Sequence, residues 1–311
     1  MTYKVFIDGA EGTTGLKIHQ YFQQREDIEL LHIEPRKRKD LEERLAFVKK
    51  ADVSFLCLPD AAAREIAAAA PKSCRIVDTS TAHRTDSEWV YGMPELCPTQ
   101  REKIRNSNRI AVPGCHATGV ILLIRPLLEA GLADPDQHFT AFSLTGYSGG
   151  GKRMIGQYQA RQRERGQQSG GDLLTAPRQY GIGQRHKHLP EIMAAAGLKQ
   201  PPCFVPVVAD YYSGMEVTVP VTGAGARDKV KSVFQTYYAG QPLVTVVDSM
   251  DEGGFIAADR LAGSNRLEIA IEGNDENLLL VATYDNLGKG ASGAAVQNMN
   301  LMLGIDETKG L

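Results

Sequence analysis

The sequence predicts an α/β protein of two domains, in which a doubly wound parallel sheet is joined to an α+β domain with an antiparallel sheet. In the first part of the chain, short apolar runs alternate with helix-like runs, as the strands and crossover helices of a parallel sheet do. In the second part, strand-like runs follow one another with few helices between them. Residues 216–220 and 268–272 there alternate polar and apolar side chains, which is typical of half-buried antiparallel strands.

The elements of the parallel sheet follow in order along the chain. Apolar runs predict strands at 4–8, 28–33, 53–58, 75–78 and 110–112, and helical patterns predict helices at 16–22, 40–50 and 61–70. Pro71 closes the third helix, where proline usually stands. Ligand sites in open α/β sheets form at the carboxyl ends of the strands, so the residues after these strands are the first candidates for a site.

The second part of the chain gives a different series of elements. Its strands are predicted at 139–144, 204–208, 215–221, 243–247, 267–271 and 278–284, with helices at 228–238 and 291–303. The segment 161–171 is polar and glycine-rich, and it predicts a mobile loop long enough to form a lid or a partner contact.

A glycine-rich turn follows the first strand. Asp8-Gly-Ala-Glu-Gly-Thr-Thr-Gly15 separates that strand from an amphipathic run. Strand, glycine turn and helix start form the Rossmann-type dinucleotide-binding arrangement, because glycines let the backbone approach a pyrophosphate at the helix N-terminus. The spacing is a variant of the common fingerprint, and a plain tight turn is the alternative.

The second strand ends in a segment that discriminates between cofactors. Glu34 is a carboxylate where NAD-binding folds place one, whereas residues 36–39 are four consecutive basic residues that accommodate a 2′-phosphate. The basic run favours NADP. The alternative is a solvated charged loop that leads into the next helix.

Cys115 lies in Ala111-Val-Pro-Gly-Cys-His-Ala-Thr-Gly119, between an apolar run and a helix-like run. At the start of a helix, the dipole and the unpaired amide groups favour thiolate, which is the nucleophilic form. Proline and glycine restrict the preceding turn. The alternative is a buried structural cysteine.

A pair of histidines is the third candidate feature. Arg185-His-Lys-His-Leu-Pro-Glu191 places His186 and His188 before a proline that starts a helix. A histidine within reach of a thiol takes its proton, and an acid such as Glu191 orients the histidine. Metal binding is disfavoured, since no Cys-x-x-Cys or His-Glu-x-x-His pattern completes a ligand set.

These motifs together resemble the N-acetyl-γ-glutamyl-phosphate reductase family, in its shorter variety, over essentially the whole chain. The matching blocks are 9–15, 57–59, 78–84, 91–96, 113–118, 186–191 and 295–302. The Pro-Gly-Cys and His-x-His-x-Pro-Glu blocks distinguish it from the related aspartate-semialdehyde dehydrogenases. Two details depart from the longer enzymes of the family. An Asp-Phe-Arg there is Ala82-His83-Arg84 here, and a tyrosine after the cysteine is His116.

The resemblance implies an NADPH-dependent reduction of an acyl phosphate to a semialdehyde, with release of phosphate, in arginine biosynthesis. Cys115 would form a thioester, and His188 would be the acid/base, with His186 in reserve. Arg84 would bind an anionic end of the substrate, and Lys152, Arg178 and Arg185 are weaker candidates. The expected cofactor-binding residues are Gly9, Gly12, Thr13, Thr14, Gly15, Arg36, Lys37, Pro59, Ser80, Ser148, Gly149 and Asn286, while Asn286 and Asn298 are equally explained as helix caps or buried polar contacts.

The resemblance also implies the domain boundaries. Residues 1–114 and 291–311 would form the NADP-binding domain, with the last helix returning to it. Residues 115–290 would form the catalytic and oligomerisation domain, and we expect a homo-oligomer, either a dimer or a tetramer.

Two alternatives differ in function class or substrate. A sister enzyme would act on an aspartyl or an aminoadipyl phosphate, because one methylene gives only ~1–3 kcal/mol of discrimination. A non-enzymatic NADP-binding or sensory protein would keep the fold without the chemistry. The presence of Cys115 and both histidines argues against this second alternative.

Composition limits the partners. At 311 residues, 42% of them hydrophobic, the chain can form two cores. A net charge of −2 gives no reason to expect nucleic acid or an anionic membrane as a partner. No signal peptide is evident at the N-terminus, and five cysteines without paired spacing suit a reducing compartment, so a cytoplasmic enzyme is expected.

Overall fold

The computed structural model describes residues 2–163 and 174–311. Within them the strands are β1 (Tyr3–Asp8), β2 (Ile28–Leu31), β3 (Val53–Leu56), β4 (Ile76–Asp78), β5 (Val90–Tyr91), β6 (Arg109–Ala111), β7 (Thr140–Gly146), β8 (Arg178–Gln179), β9 (Cys203–Ala209), β10 (Met215–Thr222), β11 (Val244–Val246), β12 (Leu267–Gly273) and β13 (Asn277–Tyr284). The α-helices are α1 (Thr13–Phe22), α2 (Leu41–Lys50), α3 (Asp60–Ala69), α4 (Gln100–Arg105), α5 (Cys115–Glu129), α6 (Gly151–Arg163), α7 (Leu189–Ala196), α8 (Arg227–Tyr237) and α9 (Gly293–Met302).

The chain divides into two compact units. The first comprises Met1–Gly114 and Ala291–Leu311, and the second comprises Cys115–Gly290. The last helix, α9, therefore belongs with the beginning of the chain. All ten of its residues are buried, including the polar Gln297, Asn298 and Asn300.

The first unit is built on a parallel sheet with the strand order β2-β1-β3-β4-β6-β5. Successive side chains of a strand point to opposite faces, and β1 shows the consequence. Val5 and Ile7 lie in an apolar cluster with residues of α1, α4 and α9. Phe6 lies in a second cluster with residues of α2 and α3. Helices thus cover both faces, and the predicted doubly wound sheet is confirmed.

The second unit is built on a sheet with the strand order β11-β12-β13-β10-β7-β9-β8. Its centre is antiparallel, since β10 pairs with β7 and β13, and β12 pairs with β13. The pairs β7–β9 and β11–β12 are parallel, so the sheet is mixed rather than wholly antiparallel. Parallel neighbours need a long connection, and β7 and β9 are connected by a segment that contains α6 and α7. Helix α5 packs on β10 and β13.

Several elements differ from the predictions. Strands β2 and β3 end two residues earlier than expected, and the last helix begins two residues later, after a π-helical turn at Gly288–Ser292. The sequence reasoning missed β5, β8, α4 and α6. The predicted mobile loop at 161–171 is wrong for residues 161–163, which end α6, and the rest of that segment lies outside the described residues. No helix in the described parts of the chain is long and apolar enough to cross a membrane.

Candidate active site

The glycine-rich turn between β1 and α1 has a backbone that side chains would obstruct. Gly9 has a φ of +86°, and a Cβ there would collide with the main chain after β3. A Cβ on Gly15 would lie 2.5 Å from the carbonyl oxygen of Gly9. Gly12 is the N-cap of α1, whose first turn begins with Thr13 and Thr14. The turn therefore brings bare backbone to the positive end of a helix, which suits a pyrophosphate.

The basic segment after β2 lies beside this turn. Arg38 forms an ion pair with Glu11, which is inside the glycine-rich turn. Arg36 is exposed and pairs with Glu34 at 2.8 Å, so the carboxylate that would favour NAD is engaged by a guanidinium. Lys37 pairs with a carboxylate of α2 at 2.6 Å. Arg38 is not among the cofactor-binding residues expected from the sequence.

Ser80 is part of a buried polar cluster at the end of β4. Its hydroxyl donates to a carboxylate oxygen of Asp78 at 2.8 Å, and its amide donates to the other oxygen at 2.9 Å. The Nδ1 atom of His83 lies 2.6 Å from the same carboxylate, and the ring of His83 stacks on Trp89 with centroids 4.1 Å apart. Here the departure at Ala82-His83 from the longer enzymes has a structural role, because His83 fixes Asp78. Pro59, the N-cap of α3, is exposed after β3.

Arg84 is anchored to the main chain at two strand ends of the first unit. Its Nε donates to the carbonyl oxygen of Val112 at 2.9 Å, and its Nη2 donates to that of Thr79 at 3.1 Å. These bonds hold the guanidinium in place and support the segment that leads to Pro-Gly-Cys.

Cys115 is the first residue of α5, as the sequence predicts for a reactive cysteine. Its side chain is partly exposed, and it forms no disulfide. Gly290 packs against it, since a Cβ on Gly290 would lie 3.2 Å from the Cβ of Cys115. The thiol thus stands at the positive end of a long helix dipole with backbone on one side.

The hydroxyl of Tyr284 is inserted into the first turn of α5. It donates to the carbonyl oxygen of Cys115 at 2.6 Å and accepts from the amide of Gly119 at 3.0 Å. In a regular helix these two backbone groups would bond directly. Tyr284 is fully buried, and burial followed by the charge of Cys115 raises its pKa well above the usual range, so it remains a phenol.

His116 is buried and has hydrogen bonds at both ring nitrogens. Nδ1 lies 2.6 Å from the hydroxyl of Ser143 in β7, and Nε2 lies 2.5 Å from the hydroxyl of Tyr180. Burial, together with His186 and Lys187, lowers the pKa of His116 to about 3. At neutral pH this ring is therefore uncharged and occupied, which argues against His116 as the base.

His186 and His188 lie next to His116. Their ring centroids lie 5.7 Å and 5.6 Å from that of His116, the residue after Cys115. Burial, followed by Lys187, lowers the pKa of His186 to about 4, so it is neutral at pH 7. Its Nδ1 accepts from the amide of His188 at 3.2 Å.

His188 has the carboxylate partner that an acid/base histidine needs. It is the N-cap of α7, and its Nε2 lies 3.9 Å from a carboxylate oxygen of Glu191, both side chains being buried. A buried carboxylate stabilises a protonated imidazole. A carboxylate therefore lies beside His188, and the assignment of His188 as the acid/base stays a prediction.

Ser148, Gly149 and Asn286 are brought together in the second unit. Asn286 is buried, donates from Nδ2 to the hydroxyl of Ser148 at 2.9 Å, and accepts at Oδ1 from the amide of Gly214 at 3.0 Å. A Cβ on Gly149 would lie 3.5 Å from Nδ2 of Asn286. Both ends of the Asn286 amide are thus used inside the protein, which matches the buried polar contact considered as an alternative. Asn298 in α9 is engaged at its nitrogen, since Nδ2 donates to the carbonyl oxygens of Gly92 and Ala294.

The remaining predicted cations differ in their surroundings. Lys152, in the first turn of α6, and Arg185 are both exposed. Arg178 donates from Nη2 to the hydroxyl of Tyr158 at 3.0 Å, which gives it a packing role. In the described residues, no group of three or more His, Cys, Asp or Glu side chains is arranged to hold a metal ion.

Sequence reasoning missed Tyr180, Tyr284 and Ser143. Their contacts with residues 115–119 span 64, 169 and 27 positions of the chain. No local sequence motif around a tyrosine in an apolar or loop segment indicates that it contacts residues this far away in the chain. The structure alone reveals them.

A glycine-rich nucleotide-binding turn and a cysteine flanked by histidines are the features of a semialdehyde dehydrogenase. Two domain families match the chain and agree with this class. Residues 4–106 match the semialdehyde dehydrogenase NAD-binding domain, and residues 115–286 match the semialdehyde dehydrogenase dimerisation domain. Among solved structures, aspartate semialdehyde dehydrogenase II from Vibrio cholerae superposes with a TM-score of 0.71 at 17% identity, covering 97% of this chain and 99% of that chain. The enzyme from Francisella tularensis gives a TM-score of 0.73 at 13% identity, with 97% and 100% covered. At these identities the likeness shows the fold.

Curated relatives narrow the class to one family. N-acetyl-gamma-glutamyl-phosphate reductase 2 of Nostoc sp. is 42% identical, with 99% of each chain covered. The enzyme of that name from Pseudomonas putida is 42% identical over 98% of each chain, and the reductase of Brucella ovis is 41% identical over 98% of this chain and all of its own. The chain therefore belongs to the N-acetyl-γ-glutamyl-phosphate reductase family, and the resemblance drawn from the motifs is confirmed.

Proposed function

We propose that the chain catalyses the NADPH-dependent reduction of N-acetyl-γ-glutamyl phosphate to N-acetyl-glutamate 5-semialdehyde with release of phosphate, a step of arginine biosynthesis. One observation supports the chemistry above the others. Cys115 is the first residue of α5, and the rings of His186 and His188 flank His116, the residue that follows it. The family membership supports the substrate.

The first step is acyl transfer to sulfur. His188 takes the proton of the Cys115 thiol, and the Glu191 carboxylate stabilises the imidazolium that results. The thiolate attacks the acyl carbon, the carbon–oxygen bond to the phosphoryl group breaks, and phosphate leaves with that electron pair. A thioester on Cys115 remains.

The second step is reduction and release. NADPH, when bound, supplies the hydride that reduces the acyl carbon. Reduction of the thioester gives a tetrahedral adduct on Cys115, with negative charge on the former carbonyl oxygen. This adduct collapses to the aldehyde, the carbon–sulfur bond breaks, and protonated His188 returns its proton to the sulfur. The cysteine and histidine are thereby restored.

The pyrophosphate-binding part of the cofactor site in this proposal lies in the first unit. The cradle at Gly9, Gly12 and Gly15 fits a pyrophosphate, because side chains there would fill it. Arg36 and Lys37, with Arg38 added, supply positive charge for a 2′-phosphate, which favours NADP over NAD. The further cofactor residues proposed are Thr13, Thr14, Pro59, Ser80, Ser148, Gly149 and Asn286.

The substrate carries a phosphate and a carboxylate, so cations are needed to bind it. Arg84 is the first candidate, since a guanidinium held by backbone carbonyls is preorganised for a planar anion. Lys152 and Arg185 are exposed cations that complete the proposal.

The proposal extends to assembly and location. We propose that the first unit is the NADP-binding domain and that the second unit carries catalysis and association. The match to a dimerisation domain supports a homo-oligomer, a dimer or a tetramer. A biosynthetic role supports a cytoplasmic location.

Phosphate-dependent reduction of NADP⁺ by N-acetyl-glutamate 5-semialdehyde, the reverse reaction, tests the function. Wild type should turn over only with phosphate present, and Cys115→Ser should lose activity at least about 10³-fold. Turnover of aspartate semialdehyde or an aminoadipate analogue in place of this aldehyde would keep the chemistry and change the substrate. Binding of NADP without turnover of any aldehyde would leave a binding protein.

Two histidine variants test the acid/base assignment. His188→Asn should lower kcat by about 10²-fold or more, the usual contribution of a general acid/base. His186→Asn should lower it less, because the ring of His186 mainly supports its neighbour. A near-normal rate in His188→Asn would refute the assignment.

A further inference from the structure

The ring of His116 links two hydroxyl groups, and counting their protons fixes the direction of the hydrogen bonds. At neutral pH the ring is uncharged and carries one N–H, since its pKa is about 3. Its nitrogens contact the hydroxyls of Ser143 and Tyr180. A neutral imidazole donates at one nitrogen and accepts at the other, so two arrangements exist.

One arrangement leaves a buried donor without an acceptor. If Nδ1–H donated to Ser143, the hydroxyl proton of Ser143 would need another acceptor. Ser143 is 0% exposed, and within the described residues its hydroxyl bonds to His116 alone. Leaving a buried donor unpaired is costly.

The other arrangement leaves no fully buried donor unpaired. Ser143 donates to Nδ1, which places the ring proton on Nε2, and Nε2–H donates to the oxygen of Tyr180. The hydroxyl proton of Tyr180 is then directed away from His116. In the part of the chain that the structure describes, the Tyr180 hydroxyl bonds only to His116, and the side chain is partly exposed.

Tyr180 lies in the histidine cluster beside Cys115. Its partner His116 follows Cys115 directly, and its ring centroid lies 5.8 Å from that of His186. Burial and then the charge of Cys115 raise the pKa of Tyr180 far above its usual range, so the hydroxyl donates without losing its proton. A fixed donor near sulfur suits the oxygen of an acyl group bound there, where negative charge develops.

We propose that Tyr180 donates a hydrogen bond to the carbonyl oxygen of the acyl group on Cys115, and that Ser143 and His116 set the direction of this bond. The inference rests on the proposed acyl-transfer function, whatever the acyl side chain. Tyr180 is then a catalytic residue, and Ser143 and His116 are positioning residues that act through it.

Steady-state kinetics of Tyr180→Phe, with the aldehyde that wild type turns over, tests the proposal. We expect kcat to fall about 10²-fold, the usual loss for one oxyanion donor, with KM changed far less. Tyr237→Phe, which removes the same atom at the end of α8, is the matched control and should keep the wild-type kcat. A kcat of Tyr180→Phe within twofold of wild type would overturn the proposal while leaving the proposed function intact.

A double-mutant cycle tests the direction of the bonds. Ser143→Ala should lower kcat by about tenfold. Nε2 of His116 can then accept a hydrogen bond from Tyr180, so the Tyr180 hydroxyl proton no longer points toward the acyl group. In Ser143→Ala/Tyr180→Phe the loss should equal that of Tyr180→Phe alone, as expected of residues that act as a unit. Losses that multiply would show that Ser143 does not act through Tyr180. If Ser143→Ala fails to fold, His116→Gln takes its place in the cycle, since it removes the same ring link.

Discussion

Gly9 is a residue whose replacement tests the nucleotide cradle directly. Its φ of +86° strains any L-residue, and a Cβ there would meet backbone that cannot move aside. We expect Gly9→Ala to destabilise the protein by at least ~2 kcal/mol, since overpacking and left-handed strain add. Fluorescence titration should also show at least about tenfold weaker NADPH binding, because the turn must shift away from the pyrophosphate.

A second glycine provides the control for this prediction. Gly156 lies inside α6, and a Cβ there would meet no atom within 4 Å. Gly156→Ala should therefore raise stability by about 0.5–1 kcal/mol, the propensity difference in a helix, and leave NADPH affinity unchanged. Equal affinity in both variants would remove the glycine turn from the cofactor site.

At the residue scale, the sequence identifies functional residues that lie in a recognisable local motif. Cys115, His186 and His188 are predicted because a cysteine before a helix and a paired histidine motif are visible in a few adjacent letters. Ser143 and Tyr180 are invisible there, since their role comes from partners 27 and 64 positions away. The pKa of His116 likewise depends on burial, which adjacent letters do not specify.

Helix α5 shows how one side chain shapes an element. The Tyr284 hydroxyl bonds to both the carbonyl oxygen of Cys115 and the amide of Gly119, the two backbone groups that face each other in the first turn. A group inserted into the ladder of a helix locally widens it. The insertion needs Gly119, because a Cβ there would lie 2.7 Å from the hydroxyl. Tyr284 and Gly119 thus jointly hold the turn that begins with Cys115.

Tyr284→Phe should destabilise the protein by about 1–3 kcal/mol, because a buried backbone donor and acceptor lose their shared partner. The free energy of urea unfolding measures this. The rate of Cys115 alkylation by iodoacetamide should change in the same variant, since the first turn of the helix loses its hydrogen bonds to Tyr284.

Tyr211→Phe is the matched control for the loss of a hydroxyl. Among the described residues, the buried oxygen of Tyr211 has no hydrogen-bond partner. Its removal should be neutral or slightly stabilising, as the hydroxyl pays a desolvation cost without a bond. A loss equal to that of Tyr284→Phe would mean that the inserted hydroxyl contributes no more than packing.

At the element scale, the sequence predicts helices and strands whose apolar residues recur at a regular spacing, and it misses those without such a pattern. The alternation in β10 and the apolar runs of the parallel strands are read correctly because burial imposes the pattern. Helix α6 escapes notice because Tyr158 is its only buried residue, so it shows no apolar stripe after its glycine start. The parallel pairing of β7 with β9 escapes too, since alternation along a strand does not identify its neighbour.

Across the whole molecule, the histidine cluster links protonation to folding. The pKa of His116 is lowered from 6.5 to about 3 in the folded state, because burial disfavours the charged ring. Between these values the unfolded chain binds a proton that the folded chain excludes. Stability from this group is therefore present above pH 6.5 and is lost as the pH falls toward 3. His186, with a pKa of about 4, acts in the same direction.

We expect acidification from pH 7 to pH 5 to cost about 2 kcal/mol of unfolding free energy through His116 alone, from the difference between its folded and unfolded pKa values. Urea unfolding at the two pH values measures the change. His116→Gln should be less stable than wild type at pH 7, yet it should lose about 2 kcal/mol less on acidification because glutamine does not titrate. The comparison of slopes isolates the buried ring from all other titrating groups, which both proteins share. An identical acid sensitivity in the two proteins would place the proton uptake elsewhere and would mean that His116 is already charged in the folded state. A charged ring would also remove the neutral tautomer on which the direction of the Tyr180 hydrogen bond depends.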